Sequence, residues 1–316
     1  MITDKALTFT TANLFNFIKP PGAFYDFENI YESDAWREKC QWTQNQIQKL
    51  DADIVGIQEV FSIDAARELF ETMGYLYFAS VDQPFIESDY IYSQPVVALA
   101  SKYPITHIEA VFPLDSIAEN YQTSLPQFSR KPLYTVVDVP EIGEVAVYVC
   151  HLKSQRATES HNPEYANPLI GRWLSSQQRA WEAVMLRVFM EEQYARHPIP
   201  TVLMGDMNQP LSSDITGLLT SESNHNSARL KLADSWCIFS ESQPELERAP
   251  THYHFAKGNV LDYILLSQEF QADSQYSLAD VTAYQVLNQH LITPIYATDK
   301  QASDHAFVAA TVRFVL

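Results

Sequence analysis

The chain has 316 residues, 46% apolar and 12% aromatic, enough for a sizeable core and incompatible with wholesale disorder. Its 21 basic and 39 acidic residues leave a formal charge of −18. That field opposes loose binding to nucleic acid or to an anionic membrane, although a bound divalent cation can reverse it locally.

Ala6–Asn13 alternates like a strand and ends at Asn13, ahead of a loop from Pro20 to Tyr31 rich in proline, glycine and aromatics. Ser33 is placed to cap a helix over Asp34–Leu50, with Trp36, Cys40, Ile47 and Leu50 on one face. A short buried strand, Asp53–Ile57, runs into Gln58, Glu59 and Val60, and Ser62 caps a second helix that Gly74 closes. Tyr75–Ala79 and Pro95–Ala100 read as strands, and Leu133–Val139 with Glu144–Leu152 reads as a hairpin turning at Gly143 and delivering His151. After a polar loop over 153–170, the longest helix is expected over Trp173–Arg196, with Trp173, Ala180, Trp181, Val184 and Val188 as its apolar positions. It leads into the apolar run Thr201–Met204, which breaks at Gly205, presents Asp206 and Asn208, and is stopped by Pro210. A polar stretch over 211–250 precedes Val260–Leu266, an apolar strand carrying Asp262, and Ser303-Asp304-His305 opens a last strand over Ala306–Phe314.

No repeat, low-complexity tract or linker interrupts residues 1–316, so one domain is expected. Several strands follow one another without a helix between them. That order fits an α/β fold of two packed, mainly antiparallel sheets covered by helices. The three scattered cysteines, Cys40, Cys150 and Cys237, are neither a zinc pattern nor a disulfide framework. No apolar run approaches a membrane span, and MITDKALTFT lacks a basic segment followed by an apolar one. A cytoplasmic protein is expected, or a secreted one if a leader precedes this sequence.

Chemistry gathers at strand ends: Asn13, Glu59, His151, Asp206, Asn208, Asp262, Asp304 and His305. Singly, each has an ordinary explanation as a turn, cap or solvated residue. Asp262 is the hardest to explain that way, because an acid inside LDYILL must be paired or solvated. Together, carboxylate and amide oxygens suit a hard cation such as magnesium, and two histidines suit proton transfer and oxyanion stabilisation.

The ordered motifs TANLFNF, DIVGIQEV, FSRKPL, YVCHLKS, LMGDMNQP, LDYILLS and SDHAFVAATV resemble those of the endonuclease/exonuclease/phosphatase superfamily, from Asn13 to about Val312. The resemblance implies a deoxyribonuclease-like four-layer sandwich with its site at one edge of both sheets. It implies a magnesium ion, replaceable by manganese, held by Glu59 with Asn13 and Asp304. Asp206 would prepare the attacking water, with Asn208 orienting it and His305 paired with Asp262 against the transition state. His151 would protonate the leaving oxygen or bind the scissile phosphate, and Arg130 would lie near the substrate backbone. In-line hydrolysis without a covalent intermediate is implied.

Two departures stand out. Some relatives orient the first histidine with a second carboxylate, for which Glu87 and Asp89 are the candidates. The apurinic-endonuclease branch carries tyrosine at the His151 position. Lys153 and Arg156, with Arg130 and Lys131, form a candidate anion-binding rim. The expected activity is that of a phosphodiesterase or endonuclease, with a phosphodiester partner that includes nucleic acid, no stable membrane association, and a monomeric state. The alternatives are a small-molecule or lipid phosphoesterase and, from another class, a non-catalytic binding protein, against which the full set of site residues speaks.

Overall fold

In the computed structural model, residues 4–221 and 230–315 are described. The apolar runs pair into two six-stranded sheets. One is ordered Ala279–Leu287, Phe307–Val315, Asp4–Phe17, Ile54–Val60, Val96–Ser101, Tyr77–Ala79. The other is ordered Leu232–Asp234, Asp262–Ser267, Thr201–Asp206, Gly143–His151, Leu133–Val139, Ile105–Ala110. Pairing is antiparallel except between Asp4–Phe17 and Ile54–Val60, and between Gly143–His151 and Thr201–Asp206.

The period-2 alternation of side chains makes this arrangement four layers. Val147, Val202, Met204 and Ile264 turn inward against Leu7, Phe9, Leu99 and Val308 of the facing sheet. The residues between them, Tyr148, Leu203, Tyr263 and Leu265, turn outward against Met185, Leu186, Phe189 and Met190 of the helix Pro168–Arg196. On the far side Val55, Ile57, Ala98 and Ala100 meet Trp42, Ile47 and Phe70 of the helices Ser33–Leu50 and Ile63–Thr72. The expected α/β architecture of two mainly antiparallel sheets between helices is the observed one.

The differences are local. The first strand runs beyond Asn13 to Phe17, through Phe15 and Asn16 at φ +52° and +54°. Ser33 is the first helical residue, not the cap, and Ser62 makes no side-chain cap; its Oγ accepts from Lys19 N at 2.9 Å. The long helix starts five residues before Trp173, where Asn167 Oδ1 accepts from Leu169 N and Pro168 fills the first turn. Its buried stripe is Ser175, Arg179, Glu182, Ala183, Leu186 and Met190, so Trp173 is exposed and Trp181, Val184 and Val188 are half-buried. Arg179 and Glu182 displace the expected apolar stripe because they bind loop backbone at the sheet edge. The described part of the polar stretch 211–250 contains the strand Leu232–Asp234 and the helix Ser235–Ser240, with 222–229 outside the described residues.

Candidate active site

Strand register lines up three polar side chains. His151 lies opposite Asp206 across the parallel pair, and Asp206 lies opposite Asp262 across the antiparallel one. Gly205 makes the first contact possible: a Cβ there would lie 1.9 Å from the Cys150 carbonyl oxygen. In the facing sheet Asn13 pairs with Gln58, which puts Glu59, at φ +61°, at the same edge. Ser303 Oγ donates to Asn13 O at 2.7 Å and accepts from His305 N at 3.0 Å, which pins the Ser303-Asp304-His305 turn to the first strand.

The resulting cluster centres on Asp206 Oδ2. His151 Nε2 is 3.4 Å away, His305 Nε2 3.7 Å, and Asn13 Nδ2 donates to it at 3.3 Å. Its other oxygen accepts from Asn208 N at 2.8 Å, and Asn208, at φ +55°, donates Nδ2 to Leu152 O at 2.8 Å. Asp262 Oδ2 accepts from His305 Nδ1 at 2.8 Å, while Asp262 Oδ1 is buried without a partner among the described residues. Burial pushes Asp206 up to about 7, with His305 opposing the rise and Asp262 adding to it. For His305 burial opposes the charge, but Asp262 and Asp206 outweigh it and hold the ring charged. Burial, then Arg130 and His305, holds the His151 ring neutral.

Glu59 Oε2 accepts from Asn16 N at 2.9 Å, and Oε1 from Asn13 Nδ2 at 3.4 Å. Burial, then the negative charges of Glu59 and Asp304, raises the Tyr31 hydroxyl, and the same two charges oppose the lowering of Lys39 by burial. Oxygen donors in a shared negative field fit a hard divalent cation. Two sets of potential ligands draw their ligand atoms within 4.8 Å of one another, Asp206 with Asp262 and His305, and His252 with Asp304 and His305.

The rim residues divide. Arg130 donates Nη1 to Leu152 O at 3.4 Å and, with Lys153, acts electrostatically on His151. Arg156 is paired with Glu159 at 2.8 Å, and Lys131 with Asp82 at 3.0 Å. Glu87 and Asp89 are exposed, and His151 Nδ1 is buried without a partner among the described residues, so neither acid orients that ring.

Several neighbours escaped the sequence reading. Lys39 is buried between the Phe15 and Tyr31 rings, 5.5 Å from each centroid, and burial lowers it to about 8. Its spacing from Trp36 and Thr43 is the available signal. Glu182 accepts from Ser129 N at 2.7 Å and Lys153 N at 2.6 Å, tying the Arg130 and Lys153 loops to the long helix. His252 packs its ring 4.9 Å from that of His305, and no sequence pattern marks it.

The model of the Endonuclease/Exonuclease/phosphatase family matches residues 40–305. The chain belongs to this family. Solved structures with the same fold include the human Nocturnin catalytic domain with bound sulfate anion (15% identity, TM-score 0.60, covering 100% of this chain and 98% of that one). An endonuclease/exonuclease/phosphatase from Beutenbergia cavernae aligns at 19% identity and TM-score 0.58, covering 98% and 72%. A humanized D. rerio TDP2 aligns at 13% and 0.58, covering 97% and 98%. No curated protein sequence matches the chain. Family members are generally phosphoesterase hydrolases, and the fold typically binds a divalent metal. No described helix is long and apolar enough to cross a membrane.

Proposed function

We propose that this endonuclease/exonuclease/phosphatase member is a divalent-metal-dependent phosphodiesterase that cleaves P–O bonds by in-line attack of water. The observation that carries the reading is Asp206 Oδ2, a buried carboxylate oxygen facing two imidazoles and an amide at the edge shared with Glu59. Glu59, Asn13 and Asp304 would hold magnesium, or manganese in its place; the ion supplies charge neutralisation at the phosphoryl oxygens. Asp206 accepts a proton from the attacking water, and Asn208 fixes both the carboxylate and the adjoining loop. The charged His305 ring, held by Asp262, faces the phosphoryl oxygens as negative charge builds. Neutral His151 donates a hydrogen bond to a phosphoryl or leaving oxygen, a role its charge state supports better than full proton transfer. Arg130 and Lys153 bind the substrate's phosphate, with Arg156 at the margin.

On this reading the substrate is a phosphodiester, nucleic acid included, met by a monomer without stable membrane association. The −18 charge confines contact with a polyanion to the Arg130–Lys153 rim. One observation favours a lipid phosphoester as the second reading: Tyr165, Leu169, Ile170 and Trp173, at or next to the end of the loop that carries Lys153 and Arg156, are all exposed. The deciding experiment offers the purified protein, with magnesium, plasmid DNA, bis-p-nitrophenyl phosphate, p-nitrophenyl phosphate and sphingomyelin vesicles. Faster cleavage of the diester than of the monoester is expected. Monoester preference without DNA nicking would replace this reading with that of a small-molecule phosphatase, and vesicle hydrolysis alone would favour the lipid.

A further inference from the structure

We propose that His252, Asp304 and His305 form a second cation site, selective for a borderline transition-metal dication such as zinc(II), which blocks the candidate active site when filled. Their ligand atoms lie within 4.8 Å of one another. An isolated β-bridge joins His252 to His305, and Ala306 N donates to Thr251 O at 2.7 Å, so the hairpin His252–His254/Lys257–Asn259 is fastened to the turn carrying the other two ligands.

The donor set sets the metal preference. Imidazole nitrogens suit zinc, nickel and copper, whereas carboxylate and amide oxygens suit magnesium. Glu59 and Asn13 supply oxygen alone or an amide; this group supplies two ring nitrogens and one carboxylate. His305 is already arranged as a metal-bound histidine is. Its Nδ1 is engaged by Asp262 at 2.8 Å, which fixes the ring, and a cation takes Nε2 by displacing the proton of the charged ring to solvent. His252 Nδ1 is buried with no partner among the described residues, so this ring carries an unsatisfied nitrogen. Asp304 is exposed and opens the group to solvent, leaving room for water to complete a tetrahedron. Ligand atoms about 2 Å from one ion stand no more than about 4 Å apart. Closure therefore needs a small movement of exposed Asp304 and half-buried His252, with His305 fixed. A metal there takes Asp304 from the oxygen-rich group and the Nε2 atom that faces Asp206.

Binding is tested on the whole chain without substrate, by calorimetric titration with zinc(II) and by the visible absorption of added cobalt(II). One site is expected, weakened at least about tenfold by His252→Ala, the scale on which loss of a ligand's partner alone acts. Asp304→Asn, in an exposed turn, should weaken it too, while His254→Ala, on the same hairpin but exposed, should leave it intact. The zinc concentration that halves each protein's own magnesium-supported rate should rise in step with the binding change. Zinc binding that is absent in the wild type, equal in wild type and Asp304→Asn, or lost equally in His254→Ala would overturn the proposal. The binding arm is independent of the proposed activity. Only the inhibition arm rests on it, so tight binding in an inactive protein would count against the phosphodiesterase reading alone.

Discussion

One strand, Asp262–Ser267, serves two buried polar clusters that differ in how their charges are matched. Asp262 faces the candidate active site, and the next residue, Tyr263, faces the other side of the sheet. There Arg248 pairs with both oxygens of Asp234, donates to Tyr284 Oη at 3.1 Å, and lies 4.7 Å from the Tyr263 ring centroid. Burial opposes the Arg248 charge, but Tyr284 and Asp234 outweigh it. At the candidate site two buried carboxylates share the charge of His305, His151 is held neutral, and Asp262 Oδ1 and His151 Nδ1 have no partner among the described residues. The first cluster is matched in charge within the fold, although Arg248 Nε too is buried without a partner among the described residues. The second is left unbalanced, so a cation and a phosphate supply what it lacks.

That contrast can be broken by mutation, with the kinetic effects largest. His151→Ala and His305→Ala should each slow diester hydrolysis on the order of 10²-fold or more. Both rings face one carboxylate oxygen, so the double variant should be little worse than the more damaging single one. Additive losses, read from kcat of all three proteins, would mean that the rings do not act on a common transition state.

At the balanced cluster the effect should be on stability. Asp234→Ala leaves the Arg248 charge buried and unpaired, a loss of roughly 3–5 kcal/mol, with turnover per folded molecule unchanged. Denaturant unfolding and single-condition rates measure both. A rate loss without destabilisation would merge the two clusters into one functional unit.

These contrasts are only partly visible in the sequence. Apolar runs that end in Asp206, His151 and Glu59 are legible because a buried strand tolerates such residues only at its edge. The register that brings Asp206 between His151 and Asp262 follows from pairing three such runs. Edge strands are less legible: Ile105–Ala110 is exposed or half-buried throughout, Ala279–Leu287 is mostly half-buried, and both carry weak alternation. The long helix misled because Arg179 and Glu182 occupy its buried face, where binding loop backbone matters more than apolarity. His252 and Lys39 gain meaning only from packing against residues far away in the chain.

A smaller effect separates the clusters by pH. Asp206, ordinarily near 3.8, is raised to about 7 in the fold. Between those values the unfolded chain has lost the proton that the folded chain keeps, so this group's contribution to stability falls as pH rises and levels off above about 7. Asp206→Asn removes the titration. The variant's melting temperature should therefore gain on the wild type from pH 5 to pH 8 without metal, whereas a constant difference would contradict the raised value.

The central claim is metal-dependent hydrolysis centred on Asp206, and its most direct test is one assay. Bis-p-nitrophenyl phosphate is offered to the wild type and Asp206→Asn, each in EDTA and after restoring magnesium. The account predicts turnover by the wild type with magnesium, none in EDTA, and a loss on the order of 10²-fold or more in a folded Asp206→Asn protein. Full wild-type activity in EDTA after exhaustive dialysis, or a folded Asp206→Asn protein at the wild-type rate, would contradict it.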